Sequence, residues 1–224
     1  YGQADLVYAA NVFCHIPDLH GLVESLDLLL SSNGMIVFED PYLGSMLELG
    51  SYDQIYDEHV FLFSGLSVQQ AFASRGFELV AMELLEVHGR SMRYFIARSS
   101  THQVAKNVED WLNKERLQGL DDHETLRSFA ATVESSARTL RDNLDALAAS
   151  GVRVAALGAT SKSTTVYNYA RIGTAQIPVI FDNSPAKIGR LSPGVHIPVV
   201  SDEALLDYGP EVLVLGAWNH FEEI

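Results

Sequence analysis

Two short apolar runs, DLVYAA at 5–10 and MIVFE at 35–39, bracket a stretch in which Leu19, Leu22, Val23, Leu26, Leu29 and Leu30 recur every three or four residues. That recurrence is the period of a helix burying one face, while short runs apolar at every position suit strands covered on both sides. Strand, helix and strand in this order predict a crossover joining parallel strands. Asp18 is placed to cap the helix, Asn33-Gly34 to stop it, and Pro41 to end the second strand. A short helix is predicted over 66–75. Extended runs at 77–87 and 92–98, joined by HGRS, predict a hairpin that adds an antiparallel edge to an α/β sheet.

Two helical segments follow, at 103–118 and 122–149. The second carries Leu126, Phe129, Val133, Ala137, Leu140, Leu144 and Leu147 on one face. From Gly151 the run GVRVAALGATSKSTTVYNYARIG reads strand, glycine-containing turn, helix, with further strands at 177–181 and 212–215 and a helix near 202–207. This predicts a second, smaller Rossmann-like unit. The expected division is 1–100, a helical connection over 101–150, and 151–224. The chain enters a strand almost at once and stops at what reads as a helix start, so an internal piece of a longer protein is expected.

Fifteen basic against 29 acidic residues give a net charge of −14, with no run of Lys or Arg. Nucleic acid and anionic membranes need a clustered positive face, so neither is expected as a partner. No apolar run approaches the roughly 20 residues of a membrane span, and no signal peptide is read. Cys14 is the single cysteine, which excludes an internal disulfide framework and a Cys-rich zinc site in this chain and fits a reducing, cytoplasmic setting. A small-molecule partner is expected; the oligomeric state is left open.

Five segments carry chemistry. SYDQIYDEHVFLFS (51–64) follows a strand, on the rim where open parallel sheets bind ligands, and gathers Tyr56, Glu58 and His59. A His near carboxylates and phenols suits a base working near neutrality; the same residues also suit a polar surface loop. ANVFCHIPD (10–18) places Asn11 and His15 on the same rim, as ligand contacts or as a helix cap and a satisfied imidazole. Cys14 reads as a buried apolar residue. HGRSMR (88–93) offers His88 and Ser91, or simply a solvated turn. GATSKS (158–163) puts Thr160 and Lys162 at a helix start that suits phosphate, although it is neither a P-loop nor GxGxxG and also reads as an ordinary strand–helix turn. DNSPAKIGRLSPGVHIP (182–198) adds Lys187 and Arg190 after the next strand.

YDQIYDEHVFLFS, HGRSMRYF, GATSKSTTVYN, DNSPAKIGRLSPGVHIPV and GAWNHFEEI occur in this order over nearly the whole chain. Together they resemble the S-adenosylmethionine (SAM)-dependent sugar C-methyltransferases that act on nucleotide-linked 4-keto deoxysugars. The resemblance implies the second half of a class I SAM-methyltransferase sheet, a helical bridge and a smaller C-terminal Rossmann-like domain. It further implies that zinc belongs to an N-terminal domain, and the glycine-rich SAM loop to a segment, that lie outside this sequence. The implied roles are His59 as the base that forms an enolate, Tyr56 as oxyanion donor or ketone orienter, Glu58 as a tuning neighbour and His15 as the second candidate base. Asn11 would touch substrate and cofactor. His88, Ser91, Thr160, Lys162, Lys187 and Arg190 would touch the nucleotide diphosphate sugar. Gly89-Arg90 stands where the family usually has two glycines. An O- or N-methyltransferase on a related sugar, or a nucleotide-binding module without catalysis, are the alternatives.

Overall fold

A computed structural model describes residues 2–87, 89–218 and 221. It divides into two compact units, one comprising residues 1–51 and 57–129 and the other residues 52–56 and 130–224.

The first unit is built on a four-stranded sheet. β1 (Ala4–Ala10) leads into a single 3₁₀ turn (Phe13–His15) and α1 (Leu19–Leu29), then β2 (Leu30–Pro41) runs parallel to β1. Asp18 caps α1 by accepting the Gly21 N–H at 2.9 Å. The strand begins as soon as the helix ends, so Asn33-Gly34 lies within β2 rather than acting as the helix stop. The pairing with β1 shifts register there, between Ala4 and Leu6. α2 (Leu43–Leu49) and a 3₁₀ turn (Tyr52–Gln54) come after β2, and α3 (Gly65–Ala73) follows. β3 (Phe77–Leu85) and β4 (Ser91–Arg98) form the expected hairpin, but the sheet order is β1-β2-β4-β3. The antiparallel strand β4 therefore sits inside the sheet, between two strands of opposite direction, and β3 is the edge. β4 suits that place: Met92, Tyr94, Ile96 and Ala97 are fully buried, whereas β3 carries an exposed Glu83.

Phe38, at the centre of β2, organises this core. Its ring stacks on Phe13 at 4.6 Å and on Tyr94 at 4.8 Å and meets Phe63 edge-on at 5.7 Å. α4 (Lys106–Leu117) adds one buried acid. Glu115 is fully buried and accepts the N–H groups of Gly65 and Leu66, each at 2.8 Å, and the Tyr42 hydroxyl at 3.0 Å. It thus satisfies donors that the first turn of α3 cannot pair within the helix. Gly65 eases this approach, because a Cβ there would meet the end of the Met82 side chain at 2.7 Å and Glu115 Oε1 at 3.1 Å.

α5 (His123–Ala149) runs across the division between the units, which falls after Phe129. Val133, Ala137 and Leu144 of its predicted face are buried, while Leu126 is 41% exposed. The second unit is a parallel sheet of order β7-β6-β5-β8, formed by β5 (Val154–Leu157), β6 (Ile180–Asp182), β7 (Val199–Ser201) and β8 (Val212–Leu215). α6 (Ser161–Ala170) follows β5, and a 3₁₀ turn with α7 (Leu205–Tyr208) follows β7. The strand expected at 177–181 lies later and is shorter, and β7 was not expected. Among the described residues no helix is long and apolar enough to cross a membrane.

Glu115→Ala is expected to leave two backbone donors and a phenol unpaired in the core. Each such group costs about 1–3 kcal/mol, so the first unit should lose at least about 3 kcal/mol in urea denaturation followed by Trp111 fluorescence. Glu115→Gln, which keeps one acceptor oxygen, should lose less.

Candidate active site

In the first unit the rim at the ends of β1 and β2 is assembled from the backbone outward. Asn11 takes a left-handed conformation, φ 53°, and donates its N–H to Glu39 O at 2.7 Å, turning the chain out of β1. Phe13 and Cys14 are then buried, and His15 is left half-exposed at the end of the 3₁₀ turn. The Cys14 carbonyl accepts the N–H groups of Val60 at 2.9 Å and Phe61 at 3.1 Å, and Phe61 stacks on Phe63 at 5.8 Å. These bonds strap the 57–61 segment to the turn. The His59 and His15 rings come to 5.2 Å between centroids, tilted by 57°. The Glu58 side chain is exposed, but its carbonyl accepts from His15 Nδ1 at 2.7 Å. A carbonyl can only accept, so Nδ1 carries a proton and the neutral His15 ring presents its lone pair at Nε2.

Asp40, at the end of β2, completes this rim, and the sequence reading passed over it because it is one acid in a strand–loop junction. It is fully buried; Oδ2 accepts the Cys14 N–H at 3.1 Å, and Oδ1 has no hydrogen-bond partner among the described residues. Burial pushes its pKa up to about 6, against the opposing pull of the Cys14 hydrogen bonds and of His15. Burial also raises the Cys14 thiol pKa, with the Asp40 hydrogen bond and charge acting the same way, so this thiol is protonated at neutral pH.

Other predicted contacts in this unit have structural employment. The Ser91 side chain is buried at the start of β4, with its hydroxyl 3.5 Å from Val87 O. Arg90, at φ 75°, lies 3.2 Å from Glu86 and 3.7 Å from Glu48. His88 lies outside the described residues.

In the second unit, the turn after β5 surrounds one end of a cavity of about 570 Å³ whose walls include Gly158, Thr160, Asp182, Ser184, Lys187 and Asp202. Thr160 caps α6 in a reciprocal pair with Ser163 and donates to Gly216 O at 2.8 Å. Asp182, at the end of β6, accepts from the N–H groups of Ala159 and Ser184, both at 2.8 Å, and from Lys187 Nζ at 3.2 Å. Burial alone would raise its pKa; the backbone donors and Lys187 outweigh it and hold the pKa below the ordinary value. Gly158, at φ 93°, and Gly216 pack so closely that a Cβ on Gly216 would collide with the Gly158 carbonyl. Arg190 is exposed on the loop beyond Lys187.

Lys162 is not among the residues walling that cavity. Its ammonium lies 5.4 Å from the Trp218 ring centroid, and burial lowers its pKa while the Asp53 charge opposes the shift. Trp218 Nε1 in turn donates to Asp53 Oδ2 at 2.7 Å, and Tyr52 packs against Tyr169 of α6 with ring centroids 5.6 Å apart. The Tyr52–Tyr56 segment therefore belongs to the second unit, and Tyr56 is grouped there, whereas Glu58 and His59 belong to the first.

Residues 86–224 match the family described as C-methyltransferase C-terminal domain, and residues 1–82 match a methyltransferase domain family. The chain belongs to the C-methyltransferase family. It is 33% identical over 225 residues to C-methyltransferase NovU of Streptomyces niveus, covering the whole of this chain and 54% of that protein, so the family segment seen here spans about half the relative's length. The magnesium protoporphyrin IX methyltransferase ChlM of Synechocystis PCC 6803, solved with bound SAH, is 13% identical with a TM-score of 0.35, over 44% of this chain and 47% of that one. Membership gives the α/β, Rossmann-like methyltransferase fold a name and leaves the roles of individual residues to the geometry above.

Because the folded pKa of Asp182 is lowered, its ionised form stabilises the second unit above the ordinary carboxylate pKa of about 3.9, and that stability is lost as pH falls through the folded value. Asp182→Asn is expected to unfold more easily than the parent at pH 7, with the difference closing in the acid range. Trp218 fluorescence in a Trp111→Phe background during urea denaturation at several pH values measures it; a difference that stays constant with pH contradicts it.

Proposed function

We propose that this chain belongs to a SAM-dependent enzyme that methylates the carbon beside the ketone of a nucleotide-linked 4-keto deoxysugar, through an enolate formed by a protein base. The observation that carries this reading is the imidazole pair His15–His59, held at the carboxyl ends of two parallel strands in a member of a C-methyltransferase family.

The fit to the cofactor is partial. Asn11 stands at the end of β1 and the unpaired Oδ1 of Asp40 at the end of β2, both polar and on the ligand rim, but residues 1–100 contain no glycine-rich turn to cradle the rest of SAM. When bound, SAM supplies an electrophilic methyl group. The chain's own residues do the remaining work in this reading. His59 takes the proton from the carbon beside the ketone, and His15, fixed by the Glu58 carbonyl, lies beside it as a second proton carrier. Tyr56 is the residue to which the family resemblance gives a hydrogen bond to the ketone oxygen as negative charge develops there. The cavity of the second unit takes the nucleotide, with Lys187 and Arg190 as the cations that meet the diphosphate. Lys162 lies over the Trp218 ring, and Trp218 donates to Asp53, which ties the Tyr52–Tyr56 segment into the second unit.

The carbon-bound proton beside a ketone is a weak acid, so a positioned base contributes about 10²–10⁴ in rate. In the full-length enzyme, His59→Asn should slow exchange of that proton with deuterated solvent by this factor and abolish most methyl transfer, while the sugar nucleotide still binds. Tyr56→Phe should have a smaller effect. Loss of exchange in His15→Asn, with near-parent exchange in His59→Asn, would move the base to His15. Exchange that survives in both variants, with methyl transfer to oxygen or nitrogen, would overturn the enolate reading.

A further inference from the structure

The rim of the first unit also has the composition of a metal site. One sulfur and one nitrogen from each of two imidazoles, those of Cys14, His15 and His59, lie within 4.8 Å of one another. Thiolate and imidazole are the ligand types that favour zinc, with bonds of about 2.3 Å to sulfur and 2.0–2.1 Å to nitrogen. In a tetrahedral site with these bond lengths the ligand atoms stand about 3.3–3.6 Å apart, so binding draws them together by up to about 1.4 Å.

Three independent features prepare the cluster for a cation. The two chain segments that carry it are fastened together by the bonds from Val60 and Phe61 to Cys14 O, so most of the ordering cost of bringing the ligands together is already met by the fold. His15 Nδ1 donates to a backbone carbonyl, the outer partner that metal-bound histidines commonly have, and this leaves Nε2 for a ligand. The buried carboxylate Asp40 contacts Cys14 and has an oxygen without a partner among the described residues, so an added positive charge has a buried counter-charge in place. The chain as a whole, at −14, attracts cations.

We propose that Cys14, His15 and His59 form a binding site for a single zinc-type divalent ion, whose fourth position stays open to solvent. Binding releases the Cys14 proton to solvent and engages the lone pairs of both imidazoles. An ion seated here therefore competes with any proton transfer by His59 or His15. The inference stands on the geometry of the cluster and is separable from the assignment of the base, since the binding readout below involves no turnover.

The test is a titration of the reduced 224-residue chain with Co²⁺, followed by displacement with Zn²⁺. One equivalent of Co²⁺ is expected to produce a thiolate-to-cobalt charge-transfer band that Zn²⁺ abolishes. Cys14→Ser should remove the band. Because Cys14 is fully buried and its replacement can impair folding, His15→Asn and His59→Asn provide the second measurement: each should weaken Zn²⁺ binding at least tenfold in a competition with a chromophoric chelator. The proposal is overturned if Co²⁺ gives no thiolate band at one equivalent, if the band survives in folded Cys14→Ser, or if both histidine variants bind Zn²⁺ as tightly as the parent.

Discussion

The first unit depends on the carboxylate of Glu115. Charged groups rarely enter a core, because removing them from water costs several kcal/mol unless donors replace the water. Here two backbone N–H groups and a phenol do so. The arrangement serves both sides, since α3 begins in the interior with its leading donors otherwise unpaired. One side chain of α4 thereby fixes the start of α3 and the ring of Tyr42 at the end of β2. The Tyr42–Phe63 bridge then leads the chain from the sheet into the strapped segment that carries His59. The position of a half-buried reactive ring traces back to an acid that never meets solvent.

The same logic recurs on the rim. Phe13 stacked on Phe38 and the fully buried Cys14 are core residues, yet their burial decides where His15 stands. The backbone carbonyls of Cys14 and Glu58 bring the two histidines together, the latter by accepting from the His15 ring itself. In the second unit Asp182 plays the comparable part, tying the turn before α6 to the loop after β6 through backbone donors.

Local pattern revealed most elements. The leucine spacing located α1, the Asp18 cap marked its start, and the two extended runs of 77–87 and 92–98 joined by HGRS produced the hairpin. What escaped was non-local. Whether β4 lies at the edge or inside depends on which strand it meets, and β2 carries no local mark of that choice. β7 is three residues long, below the length at which a periodicity exists. The site was legible as segments: both rim loops were singled out. Their convergence was not, because it rests on bonds to Cys14 O that any residue type could accept. Glu115 looked like an ordinary polar helix position, and Asp40 like one acid among 29 acidic residues. Lys162 was read by charge as a phosphate ligand, while its partners, Trp218 and Asp53, are distant in sequence; the latter two lie 165 residues apart.

The membership of Tyr52–Tyr56 in the second unit has a consequence for modular exchange. A C-terminal half grafted from a relative at α5 would bring its own α6 and its own counterpart of Trp218, but would inherit this chain's Asp53 and Tyr52. The five-residue insert would then face a surface it did not evolve with. A chimera that respects the physical division must therefore be cut in three places, carrying 52–56 along with everything after Phe129. In this chain the linear order of the sequence and the inheritance of its working parts are different things.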